Sequence, residues 1–169
     1  TSETSEMLVF DRIMVDIGDD QSIDNDLSTY SSFLANMKDM LAKADEKTLV
    51  LIDEFGSGTE PAAGGAIAEA ILSELDKRGV YGIITTHYTN LKLYASADTG
   101  VMNGAMMFDV KNIAPMFKLE MGLPGNSFAF ELARKMGLPE NIVKDAEGRA
   151  GEEFVGIERN LRKIARNRK

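Results

Sequence analysis

The sequence predicts an α/β fold with a mainly parallel sheet, flanking helices and a helical pair at its C-terminal end. Two observations carry that prediction. Leu49-Val50-Leu51-Ile52 is a short unbroken apolar run that ends in Asp53 and Glu54. Continuous rather than alternating hydrophobicity suits a strand covered on both faces, as in a parallel sheet. A second such run, Val80 to Thr86, follows a stretch of small and apolar residues from Ala62 to Lys77 that reads as a helix. Strand, crossover helix and strand make a βαβ unit, right-handed by steric preference. The composition agrees: 169 residues, 44% hydrophobic and 27% charged, describe an ordinary globular chain and exclude a disordered or collagenous one.

The remaining elements follow in chain order. Residues 1–6 are polar and read as a disordered leader. Leu8 to Ile17 mixes apolar and β-branched residues with Asp11, Arg12 and Asp16 and reads as a strand. Gly18 to Asp26 is an acidic loop. From Leu27 to Ala44 a helix is expected, because Leu27, Tyr30, Leu34, Met37 and Leu41 recur every three or four residues. Gly56-Ser57-Gly58-Thr59-Glu60-Pro61 is a loop that hands over to the Ala62–Lys77 helix, and Gly79 ends that helix. A short helix is expected from Tyr88 to Ala97. Val101 to Val110 and Phe117 to Met121 then read as an antiparallel hairpin or edge, turning near Asn112 and Pro115. The methionines of this region (Met102, Met106, Met107, Met116, Met121) read as core filler. Ser127 to Met136 and the stretch from Glu140 onward are the closing helices, with Pro139 suited to a helix start.

Charge and composition narrow the function classes. The net charge of −8 argues against the whole chain being a non-specific nucleic-acid binder, which needs a basic face for phosphates. Arg159 to Lys169 is a local exception, with six basic residues and no acidic one. Such a tail suits either phosphate contact or a solvated helix start, and the solvated helix is the reading favoured here. With no cysteine, neither a disulfide scaffold nor a thiolate metal site is possible. A cysteine-free chain with ten methionines fits a reducing cytoplasm. No apolar run approaches the roughly 18–20 residues of a membrane span, so no membrane partner is expected.

Chemistry concentrates at three places. The buried strand ending at Ile52 delivers Asp53 and Glu54 to its carboxyl end, where open α/β sheets bind ligands. Neighbouring strand residues point to opposite faces, so one carboxylate can hold a hydrated Mg²⁺ while the other faces an attacking water. The bland alternative is a pair of solvated carboxylates. His87, the single histidine, closes the next strand and should emerge at the same edge, where imidazole can donate to a phosphate oxygen. A lone histidine at a strand end is otherwise structural. Asp26-Leu27-Ser28-Thr29-Tyr30-Ser31 opens a helix whose bare N–H groups could hold an anion, or could simply be capped. A calcium loop from Asp16 fails on spacing, with Gln21 at the glycine position and Leu27 at the glutamate position.

In this order the motifs resemble the ATP-binding-cassette ATPases, and within them the MutS family. Asp26 to Tyr30 is similar to the MutS signature helix start, Leu49 to Glu54 to Walker B with its catalytic glutamate. Gly56-Ser57-Gly58-Thr59 is similar to the loop after Walker B, and Thr85-Thr86-His87-Tyr88 to the switch histidine segment. The second bacterial MutS branch, linked to suppression of recombination and rescue of collided ribosomes, is the nearest likeness. Asp16 to Ile23, Gly100 to Asn103 and Gly122 to Ser127 are similar to stretches of that branch, and the likeness covers nearly everything after Glu6.

The resemblance implies a cassette-type P-loop NTPase fold, with ATP and Mg²⁺ as cofactors. It implies Asp53 for Mg²⁺, Glu54 as general base or water orienter, His87 as γ-phosphate sensor, and Ser28 with Thr29 as a nucleotide contact made in trans across a homodimer. Phe128, Phe130, Leu132 and Met136 are the candidate dimer surface. One departure is decisive: no G-x-x-x-x-G-K-[ST] run occurs, nor any Gly-Lys pair. The expected fold is therefore partial, the later half of an ATPase domain starting after its phosphate loop. Residues 7–125 would form that half and 126–169 a dimerisation segment with the start of a linker helix. Such a fragment is expected to be inactive alone, with DNA or ribosome contacts and any downstream nuclease lying elsewhere in the parent. Two alternatives stay open: another cassette-type ATPase of chromosome maintenance, or a non-enzymatic interaction module.

Overall fold

The computed structural model describes residues 4–17, 29–95, 99–109, 112, 114–125 and 128–151. Its elements are β1 (Arg12–Asp16), α1 (Thr29–Lys43), β2 (Thr48–Ile52), α2 (Pro61–Lys77), β3 (Tyr81–Ile84), α3 (Thr89–Tyr94), β4 (Gly104–Asp109), β5 (Ala114–Met121) and α4 (Ala129–Lys135). A fifth helix, α5, is described from 140 to 151. The chain divides into two compact units, Thr1–Leu91 and Lys92–Lys169.

In the first unit β1, β2 and β3 form a parallel sheet in that order, with Met14, Val50 and Gly82 in register. Parallel pairing brings the carboxyl ends of all three strands to one edge. Thr48, Val50 and Ile52 of β2 are buried, whereas Leu49 and Leu51 are half-buried. Their register partners Ile13, Val15, Tyr81 and Ile83 are exposed. Only one face of the sheet is therefore covered among the described residues, where the unbroken apolar run suggested two. The close contact of β2 with β3 depends on Gly82, where a Cβ would lie 2.6 Å from Val50 Cγ2. β1 is also shorter than expected; Leu8 to Phe10 lie outside it, and the Phe10 ring instead meets Tyr81 at 5.5 Å.

The helices follow from local chemistry. α1 carries its apolar residues at helical spacing and buries Met37 and Met40. Pro61 opens α2 at a position where its missing N–H costs nothing. Glu60 caps α2, accepting from Ala62 N at 3.0 Å and Ala63 N at 2.8 Å. Those two donors hold its carboxyl below the ordinary glutamate range. Ala68, Leu72 and Leu75 are the buried apolar side of α2. Phe55, directly after the site carboxylates, is 1% exposed and meets Phe33 of α1 edge-on at 5.6 Å.

In the second unit β4 and β5 form the expected antiparallel ribbon, irregular between Met106 and Phe108. Pro115 lies inside β5, opposite Phe108, and not in the turn. Four of the five methionines are not core filler: Met102 and Met106 are each 62% exposed, Met121 60% and Met116 53%, while Met107 is half-buried. A ribbon has two faces, and Met106, Leu119 and Met121 share one that the described residues leave open. The helical pair is present as α4 and α5. Arg134 joins them, its Nε 3.1 Å from Glu140 Oε2 and its Nη2 2.8 Å from Glu147 Oε2.

Candidate active site

β2 ends at Ile52, and the next three residues turn sharply across the end of β3. Asp53 donates its N–H to Asp16 O at 2.8 Å, and Phe55 donates to Thr85 O at 2.9 Å. Thr85 in turn donates its N–H to Ile52 O at 2.9 Å. Between these bonds Glu54 is forced to φ +50°, a left-handed conformation that few non-glycine residues take up. Its N–H donates to Thr85 Oγ1 at 3.0 Å, and its carbonyl accepts from Ser57 N at 3.0 Å. The Thr85 hydroxyl donates to Asp53 Oδ1. Asp53 and Glu54 are both exposed, so their carboxylates face solvent at the sheet edge.

His87 is exposed two residues beyond Thr85, at the end of the same strand connection. The parallel sheet thus brings the expected carboxylate pair and the segment bearing His87 to one edge. Thr86 and Tyr88 brace it, with Thr86 Oγ1 donating to Phe55 O at 3.3 Å and Tyr88 Oη to Gly56 O at 2.9 Å. Gly56 makes that approach possible: at φ +85°, a Cβ there would lie 2.9 Å from both Ala68 Cβ and the Tyr88 ring. Asn90 closes the brace, donating to Gly65 O at 2.8 Å and Glu69 Oε2 at 2.7 Å.

The loop 56–59 also reaches the start of α1, since a Cβ on Gly58 would lie 3.5 Å from Tyr30 N. Tyr30, at the start of α1, and the loop after the carboxylates are therefore neighbours within one chain. Thr29 opens α1. Ser28, the acidic loop at 18–26 and the basic tail at 159–169 lie outside the described residues.

Thr85 and Tyr88 complete this site from within the segment that the sequence singled out for His87, and Glu60 caps the helix that follows its loop. Glu60-Pro61 carried a legible signal, an acidic cap before a proline at the first helical position. Thr85 carried a weaker one, a hydroxyl at the end of the strand beside the carboxylates. Tyr88 was legible only as a member of that segment; its bond to Gly56 was not, because it depends on glycines that lie distant in sequence.

A Mg²⁺ carried on nucleotide phosphates draws one or two carboxylates from protein and fills its other positions with phosphate and water. Asp53, steadied by Thr85, fits that demand. A resident ion caged by protein alone would need more, and no group of three or more histidine, aspartate or glutamate residues able to hold one occurs among the described residues. Nor is any helix among them long and apolar enough to cross a membrane.

Comparison with known proteins agrees with the motif order. The family model described as MutS domain V matches residues 1–152. A protein of Brevibacillus brevis named Endonuclease MutS2 is 46% identical over 167 residues, 99% of this chain and 21% of the relative. Proteins of the same name from Lachnospira eligens (47% over 154 residues, 91% of this chain and 20% of the relative) and Halalkalibacterium halodurans (44% over 156 residues, 92% and 20%) are similar. The chain spans about a fifth of the length of these relatives. It belongs to the MutS family, within domain V, in the second bacterial branch that these MutS2 relatives represent.

Proposed function

We propose that this chain is the hydrolytic edge of a cassette-type P-loop ATPase domain, whose phosphate loop is supplied by a part of the parent protein outside the chain. Asp53 holds the Mg²⁺ that accompanies ATP. Glu54 orients or deprotonates the attacking water, and His87 contacts the γ-phosphate. Ser28 and Thr29 reach the nucleotide of a partner subunit, so the working unit is a homodimer. Gly56, Ser57, Gly58 and Thr59 shape the loop between these parts. The parent uses ATP turnover to control its hold on branched DNA or collided ribosomes in the cytoplasm, through regions outside this chain.

One observation carries the reading. Two carboxylates and the histidine segment meet at the carboxyl ends of adjacent parallel strands, joined through Thr85. That edge is where open α/β sheets bind ligands, and a metal-holding carboxylate beside a water-facing one is the division of labour that nucleotide hydrolysis requires.

The test is Glu54→Gln in the intact parent. General-base contributions are on the order of 10²–10⁴-fold, so kcat for ATP hydrolysis should fall by about a hundredfold or more while ATP binding persists. This chain alone should not hydrolyse ATP. Unchanged turnover in the variant, or turnover by the fragment that Glu54→Gln abolishes, overturns the assignment.

A further inference from the structure

We infer that Thr85 is a positioning residue that sets the metal-facing geometry of Asp53 and the backbone of Glu54 together; the inference rests on the ATPase reading of this edge. Thr85 meets every residue from Ile52 to Phe55. Its N–H donates to Ile52 O and its carbonyl accepts from Phe55 N, both at 2.9 Å. Its Oγ1 accepts from Glu54 N at 3.0 Å and donates to Asp53 Oδ1. The two backbone bonds need no particular side chain and would survive any replacement other than proline. The hydroxyl is what the site uses.

A hydroxyl has one proton and two lone pairs, so it can accept from one neighbour while donating to another. At Thr85 these two roles fall on adjacent residues with different tasks. The bond to Asp53 fixes its carboxylate in one rotamer with Oδ1 engaged, which leaves Oδ2 as the oxygen for a cation. The bond from Glu54 N helps hold φ at +50°, a conformation that persists only when its surroundings over-determine it. Because Thr85 precedes His87 by two residues, one strand end carries both the proposed phosphate contact and the link that aligns the carboxylates. Serine could reproduce this bridge. Valine keeps the shape and removes both hydrogen bonds.

The experiment uses the full-length parent, with Thr85→Val, Thr85→Ser and Thr85→Ala, and reads equilibrium binding of a fluorescent ATP analogue with Mg²⁺ and with EDTA. Binding without metal should be equal in all variants. The gain in affinity that Mg²⁺ gives should shrink by about tenfold in Thr85→Val and Thr85→Ala, the scale of one lost hydrogen bond to a charged group, and return in Thr85→Ser. In turnover, kcat should fall with KM for the metal complex raised. A merely structural role would weaken binding equally with and without Mg²⁺ and lower the melting temperature in step. That pattern overturns the inference, as does a Thr85→Val protein with wild-type metal dependence, or a Thr85→Ser protein as impaired as Thr85→Val. If Thr85→Val fails to fold, Thr85→Ala against Thr85→Ser decides the same question. A wild type with no Glu54-dependent hydrolysis rejects the ATPase reading itself, and with it the inference.

Discussion

Among the described residues, each unit of the molecule holds one non-glycine residue in left-handed backbone: Glu54 at φ +50° in the first and Phe117 at φ +51° in the second. The settings could hardly differ more. Around Glu54, its own N–H and carbonyl and the N–H groups of Asp53, Phe55 and Thr85 are all engaged across β1, β2 and β3, and buried Phe55 anchors the turn from below. Phe117 sits in β5, near the irregular pairing with β4, and is 83% exposed. Strain that is over-determined by its neighbours marks a site with a task, whereas strain at a ribbon's open face marks a local accommodation of register. The contrast separates a region built to hold geometry from one that tolerates change.

The sharpest test of that contrast is Phe55→Ala. The side chain is 1% exposed and packs on Phe33, and truncating a buried phenylalanine typically costs about 3–5 kcal/mol. Urea unfolding should show a loss of that size. Because Phe55 N donates to Thr85 O, ATP turnover of the intact parent should also fall. A cost below about 1 kcal/mol would mean that the first unit is not the rigid region described here.

The same contrast explains what was legible in the sequence. Leu49 to Ile52 announced a central parallel strand, and the carboxylates after it announced an edge, because strand period and strand ends are local properties. The βαβ order, the hairpin and the closing helices were legible for the same reason. Cover was not: the run at β2 looked buried on both sides, yet Ile13, Val15, Tyr81 and Ile83 leave one face open. The methionines of β4 and β5 misled similarly, since hydrophobicity reports a preference for burial and says nothing about whether a partner is within reach. Thr85 was legible only as part of the segment before His87; its bridge to Asp53 and Glu54 was not, because a hydroxyl that links two strands depends on register, which the period of a single strand does not specify.

A smaller effect, confined to acid, is expected at Glu60. Its carboxyl is held below the ordinary glutamate value by the N–H groups of Ala62 and Ala63. In the unfolded chain the group returns to the ordinary value, so the unfolded state binds more protons in between. The stabilisation is therefore complete above the ordinary glutamate value and is lost as pH falls through the lower, folded one. Glu60→Gln keeps an acceptor but removes the charge at the helix N-terminus. Melting temperatures should differ most at neutral pH and converge as the solution is acidified. A constant difference across that range would place the effect in packing and not in the cap's charge.

The smallest effect separates the two left-handed residues directly. Asparagine visits the left-handed region far more readily than a bulky aromatic residue, whose cost there is roughly 1–2 kcal/mol. At Phe117 the ring is already mostly in water, so Phe117→Asn gives up little apolar burial and relieves part of the backbone strain. Asparagine's weaker strand propensity offsets some of that gain. The expected result is a stability change between zero and about 1 kcal/mol in the favourable direction, read from the urea midpoint, with ATP turnover of the parent unchanged. At Glu54 the same replacement should likewise cost no stability yet abolish turnover, since the carboxylate and not the backbone carries the chemistry. A loss at Phe117 above about 1 kcal/mol in the intact parent, larger than typical for surface substitutions, would show that the ring is covered there. The open face of the ribbon would then be a built contact, and the contrast between the two units would lie in what covers each and not in how each holds its strain.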